Sequence, residues 1–308
     1  MRFGASSQRV RAMTGPAPAF KVALFGTPSR FTTQVLLQLA EPGLVAAVVL
    51  AQPQRGVRSV LARMLARISP LERAAQERRI PVITATASNQ SAVAERLRSI
   101  RPDLICIATF PRRIPEEITT LAPLGAINVH PSLLPRHRGP LPLFWTYHAD
   151  DRAAGVTVHH TSENFDAGDI ILQDSFSLPR AYPIARLNED VALHGARVLQ
   201  SAVAALARGQ AARIAQNESA ATYAPLVRPG TPMVRFDEWY VERVWHFLAA
   251  LSPRYREPLT DIKGFPVLYQ AVAGFERSPC GIPGTVETFD GNWKLNCRGG
   301  VVFLTRRP

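Results

Sequence analysis

Short apolar runs alternate with amphipathic stretches along the first two thirds of the chain. The runs FKVALFG, LVAAVVLA, IPVITAT, PDLICIATF and GAINVH are apolar on both faces, which predicts buried strands. The stretches TTQVLLQLA, SAVAERLRSI and PEEITTLA between them are predicted helices. Strands that alternate with helices predict the fold class, an α/β protein with an open, mostly parallel, Rossmann-like sheet that helices cover on both faces.

The pattern changes near residue 208 and divides the chain. A long amphipathic helix is predicted over 187–208, packed back on the sheet. The next stretch loses the apolar period and gains proline, glycine and polar residues, which is typical of a linker. After it, FDEWYVERVWHFLAAL predicts a helix, and GIPGTVETFDGNWKLNCRGGVVFLT predicts short strands joined by DG and GG turns. We predict a disordered extension at 1–20, an α/β domain at 21–208, a linker at 209–229 and a small, mostly β domain at 230–308.

The composition of the chain bears on its partners, its compartment and its cofactors. The 308 residues carry a net charge of +12, which favours a polyanionic partner. The alternative is that the many arginines only reflect the codon usage of a GC-rich genome. No apolar run approaches the roughly eighteen residues of a membrane span. Three widely spaced cysteines predict a reducing, cytoplasmic setting and no metal site. The residues Gly26-Thr27-Pro28 after the first strand are followed by no second or third glycine of a dinucleotide-binding motif. A nicotinamide cofactor is therefore disfavoured.

The stretch GAINVHPSLLPRHRG places polar side chains at the end of a predicted strand. Asn128 and His130 stand two residues apart and share one strand face, at the carboxyl edge where open parallel sheets bind ligands. An asparagine amide donates to a developing oxyanion, and a histidine transfers a proton near neutral pH. Asp166, in the loop ENFDAGDI, is the candidate partner and is expected to raise the pKa of His130. No strong serine or cysteine nucleophile accompanies the set, which favours direct transfer.

Other histidines lie near this motif in sequence. His137 stands between two arginines and is predicted to be a surface residue. His159 and His160 are consecutive on the predicted strand AGVTVHH and therefore point to opposite faces. At most one of these two side chains is expected to approach Asp166.

Taken together, these motifs resemble the folate-dependent formyltransferases. The resemblance rests on Asn-x-His, then PSLLPRHRGP, then an Asp-x-Gly-Asp loop that begins at Asp166, and it runs from VALFGTPSRF to about residue 205. It is nearest to the members that formylate methionyl-tRNA. The stretches VRFDEWYVERVWHFLAALSP and IPGTV resemble the C-terminal barrel of those members, which implies an OB-like barrel here.

The resemblance also implies a reaction and roles for named residues. The expected co-substrate is 10-formyltetrahydrofolate, which donates its formyl group to a primary amine, with methionyl-tRNA as the first candidate acceptor and no metal. Asn128 and His130 would stabilise the oxyanion, and Asp166 would keep the histidine charged and help to remove the proton of the amine. The residues implied to bind folate are Phe110, Ser132, Leu133, Leu134 and Pro135.

Two departures from the pattern leave the acceptor open. ATFPRRIP replaces the Ala-Tyr-Gly of the tRNA-acting members, and VRSVLARMLARISP is more helical and apolar than their Gly-, Arg- and Lys-rich loop. The candidate acceptor-binding residues are Arg55, Arg58, Arg136 and Arg138. Three alternatives stay open: an amino sugar or other small amine as acceptor, hydrolysis of formyltetrahydrofolate, and a non-catalytic RNA-binding protein on this scaffold. The sequence makes no prediction of the oligomeric state.

Overall fold

Within the residues that the structure describes, a seven-stranded sheet forms the centre of the larger part of the chain. The computed structural model describes residues 20–52, 68–228, 231–252, 259–279 and 281–306. The strands of this sheet are β1 (Val22–Gly26), β2 (Val45–Ala51), β3 (Val82–Ala85), β4 (Leu104–Ala108), β5 (Ala126–His130), β6 (Ala153–His160) and β7 (Ile170–Ser177). Their spatial order is β3-β2-β1-β4-β5-β6-β7.

The direction of the strands agrees with the predicted class. β3, β2, β1, β4 and β5 pair in parallel, whereas β6 and β7 add two antiparallel strands at one edge. The described order places β1 at a crossover, with β2 on one side and β4 on the other. The open, mostly parallel α/β sheet predicted from the sequence is therefore confirmed, and its carboxyl edge is the expected ligand-binding edge.

Helices cover both faces of the sheet. In the described residues they are α1 (Arg30–Ala40), α2 (Pro70–Glu77), α3 (Gln90–Ile100), α4 (Glu116–Thr119), α5 (Pro142–His148) and α6 (Ile184–Ala207). Leu24 on β1 packs into one core with α1, α2 and α6, and its neighbour Phe25 packs into a second core with α3 and α4. Alternate strand residues thus face opposite layers, which explains why the strands are apolar on both faces.

The described part of the C-terminal region forms a second, smaller sheet beside a helix. The helix is α7 (Val241–Leu251), and the antiparallel strands are β8 (Tyr269–Glu276), β9 (Val286–Phe289), β10 (Asn292–Cys297) and β11 (Gly300–Arg306), in the order β8-β11-β10-β9. Asp290 and Gly291 both have positive φ, as the two-residue DG hairpin turn requires. The predicted β-rich C-terminal part is confirmed as this four-stranded sheet, and its closure into an OB-like barrel stays a prediction.

An aromatic cluster joins the two parts. The ring of Phe144 on α5 lies 5.5 Å from that of Phe247 on α7, and His148 lies 5.0 Å from Trp239. Trp239 is only 2% exposed, so its ring is buried within this cluster. Among the described helices, none combines the length and the hydropathy that a membrane crossing requires.

Candidate active site

A cavity of about 750 Å³ opens at the carboxyl ends of β4 and β5. Its walls come from the loops that follow β4, β5 and β6, and from the segment after α6. Ile107, Phe110 and Ile114 contribute apolar surface, and the polar residues of the sequence motif line the same space. The volume is that of a site for a small co-substrate.

The structure brings the three predicted catalytic residues together in this cavity. Oδ1 of Asp166 lies 3.3 Å from Nδ2 of Asn128 and 3.6 Å from Nδ1 of His130. The backbone N–H of Gly139 donates to the other carboxylate oxygen of Asp166 at 2.8 Å. An amide donor, an imidazole and a carboxylate therefore converge at one point, and their catalytic roles stay predictions.

Burial decides the charge of His130. The ring is 5% exposed, and burial lowers its pKa, while nearby Asp166 acts in the opposite direction with the smaller effect. Asp166 does act to raise the pKa of His130, as predicted, but the loss of hydration outweighs the carboxylate and the net shift is downward. For Asp166, burial raises the pKa, but the charge of His130 and the hydrogen bonds from neighbouring residues together have the larger effect. They lower the pKa of Asp166 to about 2. At neutral pH the pair holds an ionised Asp166 beside a neutral His130.

His159 joins this set because of strand register. It is paired directly with Asn128 across β5 and β6, and its Nε2 lies 3.1 Å from Nδ2 of Asn128 and 3.6 Å from Asp166. His160 points to the other face, so the prediction that at most one of the two approaches Asp166 is confirmed. No pattern in the sequence indicates that β6 runs antiparallel to β5, and this pairing is what places His159 beside the amide of Asn128.

The loop predicted to bind folate has a different position. Ser132 and Leu133 line a separate cavity of about 290 Å³, and Leu134 is buried with its N–H bonded to Oγ1 of Thr157 at 3.1 Å. Neither they nor Pro135 line the main cavity, whereas Phe110 does. Ser132 and Leu134 are buried, and their hydroxyl and amide groups are engaged with Arg136 and Thr157; the folate-binding role of Ser132–Pro135 stays a prediction.

The predicted acceptor-binding arginines divide into two groups. Arg55 and Arg58 lie outside the described residues. Arg136 is paired with Asp151 at 2.5 Å, and Arg138 makes a bidentate contact with Glu218, so neither offers an uncompensated charge. Both guanidinium groups are thus already paired with carboxylates, and the acceptor-binding role of Arg136 and Arg138 stays a prediction.

The surface position predicted for His137 is wrong. The residue is 6% exposed, its Nε2–H donates to Asp151 at 2.6 Å, and its carbonyl accepts from Nε2–H of His130 at 2.9 Å. Thr109, His137 and Asp166 all have positive φ near 60°, a region that residues other than glycine seldom adopt. Strained backbone of this kind concentrates at functional sites.

The segment that follows α6, residues 209–228, lies across the site, and we call it the crossing segment. Nε2–H groups of Gln216 donate to the carbonyl oxygens of Asp166 and Gly168, both at 2.8 Å. Tyr223 lines the main cavity beside Gly139, and Ala224 N–H donates to the carbonyl of Arg138. Sequence reasoning missed these contacts, because polar, aperiodic residues carry no signal of what they pack against.

The described residues also bear on metal binding. Among them, no group of three or more His, Cys, Asp or Glu side chains has an arrangement that would hold a metal ion. The donors in the cavity are instead arranged for hydrogen bonding and proton transfer.

Residues 20–203 match the Formyl transferase family, and the chain belongs to this family of enzymes. A methionyl-tRNA formyltransferase from Syntrophus aciditrophicus (strain SB) is 34% identical over 284 residues, which cover 92% of this chain and 89% of the relative. A methionyl-tRNA formyltransferase from Anaeromyxobacter sp. (strain K) is 30% identical over 291 residues, which cover 93% of this chain and 91% of the relative.

Solved structures share the fold at lower identity. The N-formyltransferase from Helicobacter canadensis, in complex with folinic acid and dTDP-3-aminofucose, superposes with a TM-score of 0.66 and 15% identity over 94% of this chain and 100% of that chain. HypX from Aquifex aeolicus, in complex with tetrahydrofolic acid, gives 0.60 and 19% over 92% of this chain and 43% of that chain. Both likenesses concern the fold.

Proposed function

We propose that this formyltransferase transfers the formyl group of 10-formyltetrahydrofolate to the amino group of methionyl-tRNA. The observation that carries the proposal is the convergence of Asn128, His130 and Asp166 in one cavity at the carboxyl edge of the sheet. The acceptor is supported by relatives named methionyl-tRNA formyltransferase that align over nine tenths of the chain. The net charge of +12 suits a polyanionic acceptor.

The donor suits the shape and charge of the cavity. Phe110, Ile107 and Ile114 offer an apolar wall for a planar ring system, and Arg113 is an exposed cation at the same cavity for the acidic tail of a folate. Neighbours in fold space whose structures contain tetrahydrofolic acid or folinic acid support a folate in this position. Phe110 is therefore the folate-binding residue of the predicted set that the geometry favours.

The amine must lose a proton, and the departing folate nitrogen must gain one. Neutral His130 takes the proton at Nδ1 as the amine bonds to the formyl carbon, and the ionised carboxylate of Asp166 stabilises the imidazolium that results. The amide of Asn128 donates to the formyl oxygen as negative charge develops there. His130 then returns the proton to the folate nitrogen as its bond to the formyl carbon breaks.

The low pKa of His130 fits this order of events. A histidine that is neutral in the free enzyme is ready to accept a proton, whereas one already charged has none to accept. The charged form arises only with the substrate bound, where it faces the oxyanion. In this proposal His130 becomes charged during the reaction, rather than being held in its charged state by Asp166 throughout.

The test is formyl transfer from 10-formyltetrahydrofolate to charged initiator methionyl-tRNA, with a no-acceptor arm and an arm with a nucleotide-linked amino sugar. Asn128→Ala and His130→Ala are expected to lower kcat by about 10²-fold or more, while a His160→Ala control keeps it. Formylation of the sugar but not of the tRNA would identify an amino sugar as the acceptor. Formate release without acceptor would indicate a hydrolase. Binding of tRNA with no turnover of any kind would leave a non-catalytic RNA-binding protein.

A further inference from the structure

His137 reaches the catalytic histidine through its backbone. The Nε2–H of His130 donates to the carbonyl oxygen of His137 at 2.9 Å, and both residues are buried. A carbonyl offers no proton, so the contact holds the proton of the neutral ring on Nε2 and leaves Nδ1 as the basic nitrogen. Nδ1 is the atom that lies 3.6 Å from Asp166.

Three features aim this carbonyl. His137 has a φ of +59°, in the left-handed region. Its ring is anchored by the 2.6 Å bond to Oδ2 of Asp151, which follows α5, and its backbone N–H donates to Oγ1 of Thr222 at 2.8 Å. Thr222 belongs to the crossing segment, so two separate parts of the chain hold His137, through its ring and its backbone N–H, in an otherwise unfavourable backbone conformation.

We propose that His137 is a positioning residue: its carbonyl, aimed by Asp151 and Thr222, selects the Nε2–H form of His130 so that Nδ1 exchanges the proton in formyl transfer. The catalytic consequence rests on the proposed function. The position of the proton in the free protein does not, because it follows from the hydrogen bonds alone.

The charged and titratable groups that face His130 are known from each side. Asp166 approaches from the loop after β6, His159 from β6 itself and His137 from the loop after β5. Burial lowers the pKa of His130, and Asp166 and the His137 carbonyl act against that effect. Loosening the carbonyl therefore lowers the pKa of His130 further and frees the ring to exchange its two neutral forms.

The experiment is ¹⁵N NMR of the full-length protein with labelled histidine, with the His130 signals assigned by their loss in His130→Gln. Asp151→Ala and Thr222→Val are expected to mix the two neutral forms of His130 and to lower its pKa. They are also expected to lower kcat by about threefold to tenfold, with KM for the folate unchanged. Because Thr222 is exposed, its substitution leaves the core intact.

Two matched controls separate positioning from general damage. Thr222→Ser keeps the accepting hydroxyl, and Arg136→Ala removes the other partner of Asp151 without touching His137. Both controls are expected to keep the wild-type tautomer. The proposal is overturned if Asp151→Ala and Thr222→Val leave the protonation of His130 as in the controls, even where kcat falls. If the wild-type protein transfers no formyl group but Asp151→Ala and Thr222→Val still change the tautomer of His130, the positioning role is upheld and the proposed function is rejected.

Discussion

Asn128 and His159 face each other across antiparallel β5 and β6, with the amide nitrogen 3.1 Å from Nε2 of the ring. The Nδ1–H of His159 donates to the carbonyl of His160 at 2.8 Å, so Nε2 carries the lone pair that accepts from the amide. The other amide proton points to Asp166 at 3.3 Å, a longer and weaker contact. The orientation of Asn128 is thus set by His159, and the weaker bond is the one that an oxyanion can replace.

Substitution of His159 by Leu is expected to lower kcat by about tenfold to a hundredfold, because the amide of Asn128 loses its acceptor and is free to rotate. The measurement is steady-state formyl transfer at saturating folate. His160→Leu is the matched control, since its side chain lies on the opposite strand face. Equal kcat values for the two variants would show that Asn128 is held by other contacts.

Gly168 allows the Asp166 loop to pass close to β6. A Cβ at this glycine would lie 1.8 Å from the carbonyl oxygen of His160, and backbone cannot yield as a flexible side chain can. Gly168→Ala is therefore expected to displace the loop and lower kcat by about 10²-fold, since a shift of about 1 Å has this effect on a catalytic group. Ala167→Gly changes the neighbouring residue without adding an atom and serves as the control. Wild-type turnover in Gly168→Ala would mean that the loop can accommodate the added Cβ without displacing Asp166.

The sequence predicts the frame of this site well. The strand β5, which carries both Asn128 and His130, is apolar on both faces, and this local pattern is sufficient to place the pair at a carboxyl edge. The Asp-x-Gly-Asp loop identifies Asp166, whose distance from the pair in sequence carries no geometric information. Its position depends on β6, which brings the loop back beside β5.

What the sequence could not predict arises from contacts between distant segments. His137 lies between two arginines, and only the fold shows that Asp151 and Thr222 draw it inward. The same holds for Arg138, whose ion pair with Glu218 of the crossing segment has no signal in the sequence. The net sign of the His130 pKa shift also required the fold, because burial has no counterpart in a local motif.

His246, buried on α7, is expected to make folding stability depend on pH. Its Nδ1 accepts from the N–H of Ala181 at 2.7 Å, and burial together with nearby Arg180 lowers its pKa from 6.5 to about 4. The folded chain thus binds this proton less readily than the unfolded chain. The contribution is fully present above pH 6.5 and is lost as the pH falls towards about 4, by an amount on the order of 3 kcal/mol.

Urea unfolding between pH 7 and pH 4 measures this contribution. His246→Gln is expected to be less stable than wild type at pH 7 but to lose less stability on acidification, since the titrating ring is gone. His194→Gln, at a partly exposed histidine on α6, is the control and should retain the wild-type pH dependence contributed by His246. Parallel curves for wild type and His246→Gln would place the pH dependence elsewhere.

Arg58 and Arg138 are expected to differ in how they affect tRNA turnover at changing salt concentration. A phosphate contact releases about one counterion, so Arg58→Ala should reduce the slope of log kcat/KM against log salt by about one if Arg58 binds the acceptor. Arg138→Gln should keep the wild-type slope, because Glu218 already neutralises that guanidinium. It should lower kcat instead, since Gln216 and Glu218 lose their anchor and the crossing segment loosens over Asp166.

The salt series distinguishes the two roles because electrostatic contacts and positioning contacts respond differently. Initial rates with charged initiator tRNA are measured from low to physiological salt for wild type and both variants, together with folate KM at each point. A slope change in Arg138→Gln would mean that Arg138 leaves Glu218 when tRNA arrives and binds phosphate after all. An unchanged slope in Arg58→Ala would remove Arg58 from the acceptor site and leave the attraction for tRNA to other cations of this basic chain.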